Sequence, residues 1–181
     1  MLIAWPRHLI FKLLPLFLVL PGAALADGVH VESVGYRFGL SATSVNEAFL
    51  QNEASLNLDL PWSWEFIPKY HLQTGLDFSA GLLSRSGDYG FVGTAGPTFT
   101  IGRERFPFSL DLGFSPTLLS HQEFGDKNFG SVFQLTSHAG LFWDMGSHFT
   151  AGYRFQHMSN GGLNEHNPGL NLHVLSIRYR F

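Results

Sequence analysis

Residues 71–83 read HLQTGLDFSAGLL. Successive side chains on a strand leave by opposite faces, so Leu72, Thr74, Leu76, Phe78, Ala80 and Leu82 share one face and His71, Gln73, Gly75, Asp77, Ser79 and Gly81 the other. One face suits hydrocarbon; the other suits a polar interior. A closed barrel of such strands pairs every backbone N–H and C=O with a neighbour, as a chain with a lipid-facing surface requires.

The same period recurs on both sides. Towards the N-terminus, residues 29–40 set Val34, Tyr36, Phe38 and Leu40 against Ser33, Gly35 and Arg37, and residues 55–60 set Leu56, Leu58 and Leu60 against Asn57 and Asp59. Towards the C-terminus, residues 90–102, 108–115, 129–143, 148–159 and 171–181 alternate in the same way. The total is eight strands, which predicts an all-β fold, an eight-stranded antiparallel transmembrane β-barrel. Polar segments at 41–47, 84–89, 121–128 and 160–169 read as external loops. The Trp- and Pro-rich stretch 61–68 and the short turns at 103–105 and 144–147 read as periplasmic connections. Both termini then lie on the periplasmic side. Ile177, Tyr179 and Phe181, at alternate positions, resemble the C-terminal signature of outer-membrane barrels.

Composition agrees with the period. Charged residues make up 14% of the 181, while Phe numbers 18 and Gly 20; a soluble domain carries nearer a quarter charged residues. No stretch after the leader approaches the ~20 consecutive apolar residues of a membrane helix. A lipocalin-like barrel or a sandwich would turn the apolar face inward and show water a more charged surface. With no cysteine, the chain has neither a disulfide framework nor a thiolate metal site.

At the N-terminus, Arg7, His8 and Lys12 precede the apolar residues 13–20, and Ala24-Leu25-Ala26 has the small-x-small pattern that a signal peptidase reads. Residues 1–26 are therefore expected to be a cleaved signal peptide and 27–181 the barrel, exported to the bacterial outer membrane. An uncleaved span fits less well, because the run is short and Pro15 and Pro21 interrupt it. Without Arg7 and Lys12, nine basic residues face fourteen acidic ones. An exported acidic chain without a basic patch is a poor match for nucleic acid.

The chemistry is concentrated in the last two strands, TAGYRFQHMSNGGLNEHNPGLNLHVLSIRYRF, residues 150–181. Ala151, Tyr153, Phe155, His157 and Ser159 share a face, so a histidine and a serine continue an apolar, lipid-facing row near its external end. Asn171 and His173 begin the corresponding row on the last strand, and a hairpin would bring His157, Ser159 and Asn171 together beside the loop. Polar groups facing lipid cost free energy unless they satisfy one another, and ionisable ones there are functional suspects. Histidine can act as general base for a serine hydroxyl while a third group holds its other nitrogen. Side chains at i and i+2 of a strand stand about 7 Å apart, within reach of such a bond. Amide groups of Asn160 could stabilise an oxyanion, with Gly161 and Gly162 letting the backbone bend. His157, His166, His173 and Glu165 match no standard metal-ligand spacing, and neither a G-x-S-x-G elbow nor a phosphate loop is present. The structural alternative is an interfacial polar pair without turnover.

His157-x-Ser159-Asn160-x-Gly162 before a final barrel strand, with the leader and the eight strands, resembles the PagL family of outer-membrane lipid A 3-O-deacylases. The likeness extends more weakly through Gly125-Asp126-Lys127-Asn128-Phe129-Gly130. It implies an esterase that removes the 3-linked hydroxyacyl chain of lipid A on the outer surface of the barrel, with no metal or other cofactor. Its partner would be lipid A or lipopolysaccharide in the outer leaflet; pairing into a homodimer stays open. His157 would match the base, Ser159 the nucleophile, and Asn160 and Gly162 the oxyanion region. Asp126 would match an acidic position that helps order the site.

One position departs from that pattern: the third triad residue would be a glutamate where this chain has Asn171. An asparagine can accept a bond from the imidazole and fix its tautomer, but it cannot neutralise an imidazolium. Glu165 precedes the strand and is poorly placed to substitute. The competing expectation is therefore a barrel that keeps the hairpin but turns over weakly or not at all.

Overall fold

The computed structural model describes residues 28–42 and 48–181. The expected signal peptide, residues 1–26, and most of the first loop, 41–47, lie outside the described residues. Ten strands follow in chain order: β1 His30–Ser41, β2 Phe49–Ile67, β3 Tyr70–Arg85, β4 Asp88–Arg103, β5 Phe108–Leu119, β6 Glu123–Phe124, β7 Lys127–Asn128, β8 Phe133–Asp144, β9 Phe149–Ser159 and β10 Leu170–Arg180. Eight of them close into one barrel, in the order β1-β10-β9-β8-β5-β4-β3-β2, while β6 and β7 form a separate small hairpin. All the barrel pairings are antiparallel, and β1 closes on β10 from Ser33↔Arg180 to Ser41↔Leu172. The fold is the expected eight-stranded antiparallel barrel.

The two faces of the alternation go where the sequence assigns them. Tyr36, Leu82, Phe91, Phe99, Leu110, Phe114, Leu141, Tyr153 and Ile177 are exposed on the outside. Arg37, Glu53, Asn57, Asp77, Asp111, His138, Arg154 and Arg178 are buried in the lumen. Those buried charges neutralise each other. Arg37 Nη2 lies 2.7 Å from both carboxylate oxygens of Asp77, and Arg154 Nη1 approaches the same carboxylate at 3.2 Å. Pairing of this kind makes burial of a charge tolerable.

Towards the loop end the lumen becomes apolar. Phe49, Leu83, Val92, Leu119, Met158, Leu170, Leu172 and Val174 form one buried cluster with Phe124 and Phe129, which enter from the segment around the β6–β7 hairpin. The rings of Phe124 and Phe129 lie 6.2 and 5.7 Å from that of Phe49. The mouth is thus packed with aromatic rings.

Strand boundaries differ from expectation in three places. β2 runs through most of 61–68, so the only connection left is Pro68-Lys69. Between β3 and β4 only Ser86 and Gly87 remain unpaired, where a longer polar loop at 84–89 is expected. The strand expected from residue 129 begins at Phe133, since Phe129 turns into the plug. In each of the first two cases the ladder continues past the expected strand end. Ladder hydrogen bonds are made by the backbone, so pairing runs on through side chains that read as a connection.

Candidate active site

β9 and β10 are adjacent, and their register sets Asn171 opposite His157 and His173 opposite Phe155. On the other side, β8 sets Ser137 opposite His157 and Leu135 opposite Ser159. His157 is exposed on the outer face with Tyr153 and Phe155, while its neighbours Gln156 and Met158 are buried in the lumen. His157 Nδ1 and Asn171 Oδ1 are 2.7 Å apart. Because a carbonyl oxygen only accepts, this contact keeps the proton on Nδ1 and leaves Nε2 with a free lone pair. Gly169 lies against the same ring: a Cβ built there would stand 3.1 Å from Cε1 and 3.9 Å from Nε2, and its φ of +48° is one that other residues rarely adopt. The imidazole is therefore held from two sides, with its outer edge towards the loop end, where Ser159 lies one step along the same face. Ser159 Oγ makes no hydrogen bond to His157 in this structure; such contacts are often long in a free enzyme.

The residues after Ser159 build the loop. Asn160 is fully buried. Its Nδ2 donates to Phe129 O at 3.2 Å and His166 O at 2.8 Å, its backbone N–H donates to Asn167 Oδ1 at 3.0 Å, and its Oδ1 accepts the Gly162 N–H at 3.0 Å. The amide hydrogens that the sequence suggests for an oxyanion are thus already given to protein acceptors. Asn160 ties 160–169 to the preceding loop through Phe129 O, while the Gly162 N–H bonds within the loop. Gly130 completes the joint. Asn164 Nδ2 donates to its carbonyl at 2.7 Å, and a Cβ at Gly130 would meet His166 O at 2.2 Å, so only glycine lets the two loops approach so closely.

Asp126 sits away from the histidine. It pairs with the buried Arg85 at the tip of the small hairpin while its own side chain stays exposed. Its contact with the site is indirect, through the hairpin and Phe129 to Asn160. Among the described residues, no three His, Asp or Glu side chains gather so as to hold a metal ion.

This placement, His157, Ser159 and Asn171 together on the outer face beside a loop anchored by the buried Asn160, coincides with a sequence match over residues 51–180 to the family described as Lipid A 3-O-deacylase (PagL). The chain belongs to the PagL family. A lipid A deacylase PagL of Bordetella bronchiseptica is 38% identical over 74 residues, covering 41% of this chain and 42% of that relative. The chain thus aligns with less than half of that protein's length. The crystal structure of the outer membrane enzyme PagL superposes with a TM-score of 0.69 at 21% identity, covering 81% of this chain and 97% of the other, and so shares its fold. As a PagL family barrel, the protein resides in the outer membrane, and its exposed Phe, Tyr and Leu side chains face lipid.

Three features of the PagL site were not legible in the chain. Ser137 lies beside His157 only because of the β8–β9 register. Gly169 reads as an ordinary turn residue. Tyr153 and His173, fifth in β9 and fourth in β10, are joined by a hydrogen bond of 2.7 Å that no spacing rule announces.

Proposed function

We propose that the protein is an outer-membrane esterase that hydrolyses the 3-O-linked acyl chain of lipid A from the lipid-facing side of the barrel. The observation that carries this reading is the outward His157–Asn171 hydrogen bond of 2.7 Å, with Ser159 two residues along the same face, in a PagL family chain. Substrate acyl chains lie in the hydrocarbon that surrounds this face. The ester then needs no path into the lumen, which the aromatic plug closes.

In this reading Ser159 Oγ attacks the ester carbonyl carbon as His157 Nε2 takes its proton. The bond between the carbonyl carbon and the sugar oxygen breaks, and that oxygen leaves with the proton from His157. Water, deprotonated in turn by His157, releases the fatty acid and regenerates Ser159. Asn171 holds the tautomer throughout. Ser159 is favoured over the neighbouring Ser137 because Gly169, on the loop side, faces the ring edge that carries Nε2.

Mass spectrometry of lipid A from cells with and without the intact protein tests the proposal. Loss of one 3-hydroxyacyl group is expected with the wild type and not with Ser159→Ala or His157→Ala, while Ser137→Ala keeps the loss. Unchanged lipid A mass with correctly folded wild-type protein would overturn it. A second reading, a barrel with little or no turnover, draws on Asn171, whose neutral amide cannot offset an imidazolium. In a serine protease triad the corresponding Asp-to-Asn change lowers kcat about 10⁴-fold, chiefly through the wrong tautomer. Here Oδ1 faces Nδ1, so the tautomer is the productive one and the electrostatic part alone is lost.

A further inference from the structure

A second histidine stands on the lipid-facing surface beside the proposed site. His173 is two residues along β10 from Asn171 and directly opposite Phe155 on β9, and so is the diagonal neighbour of His157, one step nearer the middle of the apolar band. Diagonal neighbours on one face stand about 7–8 Å apart. Its Nδ1 lies 2.7 Å from Tyr153 Oη, its ring lies nearly parallel to that of Tyr153 (24°), and it meets Phe155 edge-on at 5.7 Å. A phenol is a stronger donor than a neutral imidazole, so Tyr153 donates to Nδ1 and the ring proton sits on Nε2. Among the described residues Nε2 has no protein partner, and His173 is exposed among Phe155, Leu175 and Leu40. A further outward polar pair, Tyr36 with Asn52, lies across β1 and β2, and its phenol is satisfied by the Asn52 carbonyl oxygen.

An N–H presented to hydrocarbon without an acceptor costs free energy. Two side chains from different strands hold this one in place, immediately below the point where the proposed ester would be attacked. We infer that His173, oriented by Tyr153, is a specificity-determining residue that donates from Nε2 to an oxygen substituent on the substrate's acyl portion, a free hydroxyl or its ester, lying beyond the scissile carbonyl. This rests on the proposed acyl-ester site at Ser159 and His157. It adds a preference: oxygen-bearing chains are held in register with Ser159, and plain chains lack the second anchor. No covalent step is involved.

The test is a binding measurement that does not depend on turnover. Full-length Ser159→Ala protein, folded in detergent micelles, is titrated with three glucosamine lipids that differ only in the 3-linked chain: unsubstituted, 3-hydroxylated, and 3-acyloxylated. The two oxygenated lipids distinguish a free hydroxyl from its ester. One hydrogen bond predicts roughly 5- to 10-fold tighter binding of at least one of them. His173→Leu brings the ratio to one, Tyr153→Phe lowers it, and His173→Gln, which keeps an N–H donor, restores part of it. The ¹⁵N signal of His173 Nε2 shifts with the favoured lipid and not with the plain one. Equal affinity for all three lipids, or a ratio unmoved by His173→Leu in a folded barrel, would overturn the inference while leaving the esterase reading intact. A preserved ratio in a protein that never releases fatty acid would do the reverse.

Discussion

Among the described residues, two of the histidines that meet an Asp or Asn side chain on a neighbouring strand stand on opposite sides of the barrel wall, one inside and one outside. In the lumen, His138 Nε2 lies 3.0 Å from Asp111 Oδ2, both side chains almost wholly buried, and Thr98 donates to the other carboxylate oxygen at 2.8 Å. On the outer face His157 meets Asn171 at 2.7 Å. The inner pair can use a carboxylate because Arg37, Arg154 and Arg178 share the same lumen. Among the described residues no Arg or Lys is bonded to the outer pair, and an uncompensated carboxylate on an apolar outer face is costly, so a neutral amide is the cheaper partner there. The pairing is alike in both places; what differs is access, and access is what permits chemistry.

The comparison breaks first at the outer pair. Ser159→Ala or His157→Ala should lower deacylation at least about 10⁴-fold without weakening the barrel, read as fatty acid released by refolded protein. Activity left in Ser159→Ala but removed by Ser137→Ala would assign the nucleophile to β8. Making the outer pair resemble the inner one should have the opposite sign. Asn171→Glu is expected to raise kcat, by on the order of 10²- to 10³-fold, at some loss of stability, because a carboxylate stabilises the imidazolium that forms in the transition state. A variant no faster than wild type would show that the amide already suffices.

At the inner pair, Asp111→Ala leaves His138 and its arginine neighbours without their anion. It should cost about 3–5 kcal/mol of folding stability, measured by urea unfolding in lipid vesicles, with the turnover of the folded fraction unchanged. A drop in turnover per folded molecule would tie the lumen network to the site. The smallest effect is expected at Gly169→Ala, whose added carbon would crowd the His157 ring. Roughly 10-fold slower turnover with little change in KM is the signature of a displaced base.

Much of the architecture was legible because a barrel strand repeats every two residues, and a sequence displays that period directly. Leu72 to Leu82 outward and Asp77 inward needed no tertiary information. Strand ends were harder. At Pro61–Ile67 the proline and tryptophans read as a connection, and at Ser84–Arg85 the polar residues do, yet the backbone of both stretches stays paired in the ladder. The β6–β7 plug was hidden for another reason: Phe124 and Phe129 are two aromatics in a polar segment, and only the shape of the mouth gives them somewhere to pack.

At the site, parity alone put His157 and Ser159 on the outer face, and the hairpin made Asn171 a candidate partner. What Asn160 does was decided by the fold. Its donors are taken by Phe129 and His166, groups brought from 31 and 6 residues away, and no local pattern encodes that competition. The neighbours Ser137, Gly169 and His173 depend on register, the one quantity that alternation leaves free, since sliding a strand by two residues keeps every face correct while changing every partner. Which way each side chain points was thus written in the chain, and which side chains meet was settled only when the strands paired.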